Sequence, residues 1–167
     1  MRPATGRGGA LLEAALFVPL MFLLLMGMVE LARITYTYFT LEKMLFNLAR
    51  YVGTQQGVNF CNEADPVVTA AKTYALTGTT DHAAELLLPS LTAEMIQIRI
   101  ERLDALTGEL QQCGCAIPGC DAAAGGLAPD FITISIPEGY PVTPRIPFLM
   151  GNAIPLKPHV RLPYGGT

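Results

Sequence analysis

Apolar positions crowd the start of the chain and then thin to a stripe. Ala14 to Val29 reads AALFVPLMFLLLMGMV, sixteen residues without a charge, bracketed by Glu13 and Glu30. At about 1.5 Å per helical residue this covers roughly 24 Å, a little less than the ~30 Å of a hydrocarbon core. Adding Ala10 to Leu12 and Leu31 to Tyr36 reaches the full thickness, which predicts a membrane span at about residues 14–36. Arg2 and Arg7 precede the run and favour a cytoplasmic N-terminus. Tyr36, Tyr38 and Phe39 follow it, where an aromatic belt lies. Beyond the run, Leu31, Ile34, Tyr38, Leu41, Leu45, Leu48 and Val52 recur at alternating steps of three and four. That spacing predicts one apolar stripe on a helix. Arg33, Thr37, Thr40, Lys43, Asn47 and Arg50 fall largely on the other side. A single helix is therefore expected from about residue 10 to 53, stopped by Gly53 and bent at Pro19. The stripe suits packing on the chain's own body, and equally packing on copies or relatives. A cleaved secretory signal fits less well, because Glu30-Leu31-Ala32 is a poor small-residue cleavage site and the helical pattern continues past it.

The pattern changes after Cys61. Asp65-Pro66 before VVTAAKTYALTG predicts a short helix, with Asp65 as N-cap, Pro66 in the first turn and Gly78 at the exit. Asp81 to Leu88 reads as another short turn of helix ended by Pro89. Ile96, Ile98 and Ile100 alternate with Gln97, Arg99 and Glu101, which predicts a half-buried strand. Phe131 to Ile136 alternates in the same way. Leu156, Pro158, Val160 and Leu162 share parity in a third segment, confined to a sheet edge by its prolines. Tyr140 to Pro155 reads as an irregular loop because of Pro141, Pro144 and Pro147. Its apolar Ile146, Phe148, Leu149 and Met150 either tuck over the sheet or offer a contact to a neighbouring protein or the membrane surface. The expected fold is α+β: a long N-terminal transmembrane and amphipathic helix, then a small antiparallel sheet with short helices, packed on the lower half of the long helix.

Composition narrows the function. Hydrophobic residues make up 51% of the 167 and charged residues 15%, against about 25% charged in ordinary soluble domains. Such a chain is too apolar to be disordered. A net charge of −3 provides no global field for nucleic acid, so no nucleic-acid partner is expected. Ser90 and Ser135 are the only serines, which thins the field for hydroxyl nucleophiles. His82 and His159 stand alone in sequence, and no glycine-rich phosphate loop or paired-carboxylate motif occurs. The expectation is a non-enzyme with no catalytic residues, cofactor or metal. Four cysteines, Cys61, Cys113, Cys115 and Cys120, are expected to pair if the body lies in an oxidising compartment. Cys113 and Cys115 flank a single residue and make strained partners. Cys61 then pairs with Cys113 or Cys115, and Cys120 with the other. A bridge from Cys61 across roughly 50 residues stabilises by about 4 kcal/mol in the chain-entropy account. Zinc is disfavoured by the irregular spacing and the lack of an adjacent histidine, and redox chemistry by the absence of Cys-x-x-Cys.

Three stretches carry a family resemblance: RGGALLEAALFVPLMFLLLMGMVELAR (Arg7 to Arg33), LEKMLFNLARYVG (Leu41 to Gly53), and FITISIPEGYPVTPRIPFLMGNAIPLKPHVRLP (Phe131 to Pro163). The chain resembles the TadE-like family, pilin-like minor components of tight-adherence (Flp-type) pilus systems. Ala14 stands where that family often has an aromatic residue. The resemblance implies three parts: a leader at 1–8, a long helix at 9–53, and a periplasmic α+β domain at 54–167. It implies cleavage between Gly8 and Gly9 by an inner-membrane aspartyl prepilin peptidase. Glu13 would become the fifth residue of the mature chain. A carboxylate at the edge of a bilayer is costly unless neutral, paired or at the boundary, and a neighbour's new α-amino group would pair with it during docking. The implied protein is a minor pilin or pseudopilin acting in pilus assembly, initiation and surface adhesion. Its implied partners are other minor pilins, the major pilin, the prepilin peptidase, an inner-membrane assembly platform and membrane lipid. It would reside in the inner membrane with its body in the periplasm, then on the pilus or cell surface. The alternative is an uncleaved bitopic envelope protein, a periplasmic scaffold or binding protein with Glu13 merely at the membrane edge.

Overall fold

A computed structural model describes residues 7–79, 84–114, 126–145 and 152–165. Helix α1 spans Arg7–Gly53, 47 residues including Pro19. It begins three residues earlier than expected and ends at the expected glycine. Its length is about 70 Å, and among the described residues only its second half is packed. Leu41, Met44, Leu45, Leu48, Ala49 and Val52 are buried. The sequence stripe therefore holds at Leu41, Leu45, Leu48 and Val52. Ile34 is half-buried against the core, whereas Tyr38 and Leu31 are exposed. Met44 and Ala49 join the buried face because a helix lying on a sheet needs a wider apolar band than a two-helix seam.

Helix α2 spans Pro66–Thr77 and packs beside α1. Asp65 Oδ1 accepts hydrogen bonds from the amides of Val67 at 2.8 Å and Val68 at 3.4 Å. Gly78 closes the helix in the left-handed region at φ 75. Both ends follow the sequence expectation. The helical turn expected over 81–88 does not form at 84–88, and residues 80–83, with His82, lie outside the described residues. Leu87 donates its amide to the Leu76 carbonyl at 2.8 Å, so the segment serves the last turn of α2 instead of coiling on itself. A short 3₁₀ turn forms later, at Ala93–Met95.

Strands β1 (Gln97–Leu103), β2 (Leu110–Gln112), β3 (Phe131–Ser135) and β6 (His159–Pro163) build one antiparallel sheet in the order β2-β1-β3-β6. Register places Ile98 opposite Ile134 opposite Val160, and Ile100 opposite Ile132 opposite Leu162. These two rows line the face toward α1. The opposite face carries a polar ladder in which the Arg161 guanidinium meets Glu101 at 2.9 Å and Thr133 at 3.2 Å. The proline-containing segment expected at an edge is β6, as its prolines require.

Three strands lie where no strand was expected. β2, with sequence LQQ, is exposed throughout and so carries no apolar alternation. The Asp104 turn holds it to β1: Asp104 Oδ1 accepts the Leu106 amide at 2.7 Å, and Gly108 takes φ 69. The region read as an irregular loop begins and ends in a two-stranded ribbon, β4 (Tyr140–Val142) with β5 (Ile154–Leu156). Pro141 sits opposite Pro155, so neither ring removes a donor the other needs. Gly139 makes the turn at φ 84, where an added Cβ would come within 2.7 Å of Pro155 Cβ. Residues 146–151, with Ile146, Phe148, Leu149 and Met150, lie outside the described residues.

Candidate membrane and assembly interface

Among the described residues, the first half of α1 has no packing partner in the fold. It belongs to a helix long and apolar enough to cross a membrane, and none of its most apolar stretch is buried. Phe17, Leu24 and Met28 are each more than half exposed. Glu13 lies within this rod and is exposed. Gly9 has open space around it, and residues 1–6 lie outside the described residues.

The exposed rod ends at a carboxylate. Glu30 is 7% exposed, the one charged side chain among the buried described residues. Arg33, one turn on, donates to both of its oxygens, through Nη2 to Oε1 and through Nε to Oε2, the latter at 3.3 Å. The same guanidinium donates to the Thr143 carbonyl at 2.7 Å. The Arg145 amide donates to Glu30 Oε1 at 3.2 Å. A four-part clamp thus binds the chain after β4 to the helix, next to the exposed run. Charge-assisted bonds of this kind are among the stronger ones. In the sequence, Glu30 marks the end of an apolar run and a poor cleavage site, and Arg33 falls on the side away from the stripe. The available signal was a Glu and an Arg three apart at that boundary. Their partners, more than a hundred residues away, left no local mark.

The far end of α1 is tied as well. Gly165 donates its amide to the Gly53 carbonyl at 2.9 Å, and the Tyr164 hydroxyl donates to the Gln55 carbonyl at 2.7 Å. Tyr164 packs edge-on against Phe60, and burial pushes its phenol up from the ordinary value of 10.0. Between these ends an open groove of about 640 Å³ separates α1 from β6, with Phe39 and Phe46 on one wall and His159 on the other.

Cys61 and Cys113 each take part in a disulfide bond. Cys115 and Cys120 lie outside the described residues. Among the described residues, no three His, Cys, Asp or Glu side chains gather in a way that could hold a metal ion.

Residues 8–50 match the family model described as TadE-like protein. The match covers about a quarter of the chain and coincides with the rod, the clamp residues Glu30 and Arg33, and most of the packed half of α1. The family resemblance read from the sequence is thus borne out over that stretch. No curated protein and no solved structure matches the chain.

Proposed function

We propose that the chain is a pilin-like minor component of a tight-adherence pilus, working by assembly and not by catalysis. The observation that carries this reading is the single helix with two fates. One half is a bare apolar rod and the other is buried under a folded body, and the TadE-like match lies across both. Burying one large apolar side chain is worth about 1.5–3 kcal/mol relative to water. Many such residues line the rod, so it leaves lipid only when neighbouring helices replace the lipid.

The finer steps follow from the same reading. A prepilin peptidase cuts between Gly8 and Gly9, and the new α-amino group is a cation near the membrane surface. Glu13 pairs with that group on a neighbouring subunit and sets the register of docking. Other minor pilins and the major pilin replace the lipid, with an assembly platform in the inner membrane supplying the lift. Disulfides pairing Cys61 with Cys113 or Cys115, and Cys120 with the other, hold the periplasmic body together.

N-terminal mass spectrometry of membrane and sheared-pilus fractions tests the sequence of events. A peptidase-dependent start at Gly9 in both fractions is expected. An intact Met1 to Gly8 in the membrane and nothing in the pilus fraction would establish the uncleaved scaffold instead. Glu13→Ala should leave membrane insertion intact and lower incorporation into pili, and unchanged incorporation would remove the docking role.

A further inference from the structure

Beside the clamp lies an open depression of about 360 Å³, bordered by Arg33, Thr37, Leu88, Pro89, Tyr140 and Arg145. We propose that it seats the phosphate of an anionic phospholipid headgroup, so that the body is docked on the bilayer as well as tethered to it. This rests on the reading of the exposed rod as a membrane span.

Depth supports the assignment. The rod from Leu11 to Val29 measures about 28 Å, close to the hydrocarbon thickness. The bilayer with its headgroup layers is about 40–45 Å thick, which leaves roughly 5–8 Å per headgroup layer. Arg33 stands about 6 Å beyond Val29 along the helix, inside that layer, and Thr37 about 12 Å beyond, on its watery side. With the body closing on the helix at Glu30, the hydrocarbon boundary under this proposal is set near Val29. Tyr36 is exposed at a depth beyond the headgroups.

Charge supports it too. Two guanidinium groups face one carboxylate in the cluster. Arg33 is held by Glu30 and the Thr143 carbonyl. Arg145 uses its backbone amide on Glu30, while its exposed side chain makes no hydrogen bond among the described residues. The fold has brought a second arginine to this level of the helix from 112 positions away in sequence. One net positive charge remains to meet an anion. Guanidinium suits phosphate through its paired donors. Apart from Thr37 and Thr143 the remaining border is apolar or aromatic, with Leu88, Pro89 and Tyr140, and the Tyr140 hydroxyl is already spent on the Pro89 carbonyl at 2.6 Å. Such a rim suits the glycerol and upper acyl carbons behind a headgroup phosphate.

The chain has no tryptophan, so one introduced tryptophan reports its own surroundings. Pro141→Trp places the reporter on the border of the depression, and Leu106→Trp, 97% exposed on the turn between β1 and β2, is the reference. Each full-length variant is reconstituted in vesicles of phosphatidylcholine with a minority of phosphatidylglycerol. One or the other lipid carries a headgroup spin label that quenches fluorescence. The reporter at 141 should prefer labelled phosphatidylglycerol by about fivefold in effective concentration, the weight of one cation at an anionic surface. Arg145→Gln should abolish the preference and Arg145→Lys should keep most of it, because either substitution leaves the amide bond to Glu30 in place. No preference, or one that survives Arg145→Gln, overturns the proposal. Loss of the preference on adding excess inorganic phosphate would reassign the depression to free phosphate and overturn the lipid assignment. Failure of the unmodified chain to float with vesicles would instead refute the membrane reading on which the proposal stands.

Discussion

Leu24 and Leu45 lie on one continuous helix, yet Leu24 is 53% exposed and Leu45 is 1% exposed. The two halves of α1 are similar in helical regularity and differ in angular pattern. From Ala14 to Val29 every direction around the axis is apolar, so no face is preferred and no single folded partner can cover them all. From Leu41 to Val52, Lys43, Asn47 and Arg50 stay exposed while Leu41, Leu45 and Leu48 turn inward. A helix that is apolar all round asks for lipid or a bundle, and one with a stripe asks for a single packed surface. The clamp at Glu30 sits close to where the first regime gives way to the second.

The comparison breaks most sharply at its two leucines. Leu45→Ala should cost about 2–5 kcal/mol of body stability through lost burial and a residual cavity. Leu24→Ala should stay within about 0.5 kcal/mol, as expected for sites that touch nothing in the body. Thermal unfolding of both variants in detergent checks this, and equal losses would mean that the rod packs on the body after all. Asp65→Ala should cost about 1 kcal/mol by removing the N-cap of α2. That loss belongs to the packed half alone, so vesicle flotation of the variant should be unchanged. Glu30→Gln should act at the border: faster hydrogen exchange at the Arg145 amide is expected, with a smaller shift in global melting than for Asp65→Ala. Tyr164 gives the smallest effect and only at high pH. Its folded pKa is raised, so the folded state holds the proton more tightly than the unfolded chain. The contribution is complete below pH 10 and is lost as pH rises through the higher folded value. Tyr164→Phe should flatten that part of a stability-against-pH profile.

Local chemistry was legible along much of the chain. Asp65 with Pro66 and Gly78 marked α2 at both ends, because caps act within a turn of themselves. The alternation at Ile98 and Ile100 and at Ile132 and Ile134 marked β1 and β3, because one face of each had to be buried. The prolines near Val160 marked an edge. What escaped was whatever has no periodicity of its own. β2 exists because Asp104 and Gly108 turn the chain back along β1. The β4–β5 ribbon follows the turn at Gly139 and tolerates its two prolines because Pro141 and Pro155 fall opposite each other. The turn expected before Pro89 gave way because the Leu76 carbonyl needed a donor. At the candidate interface, Glu13 and the apolar run were visible in sequence, and the partners of Glu30 were not.

The amino-acid sequence by itself determined the long helix, its apolar first half and the α+β character of the rest, since each depends on residues within a few turns or a few strand positions of one another. Only the tertiary structure decided where the bare rod ends. That boundary is set by Thr143 and Arg145 closing on Glu30 and Arg33, and a contact across more than a hundred residues is settled by the packing of the sheet that carries it.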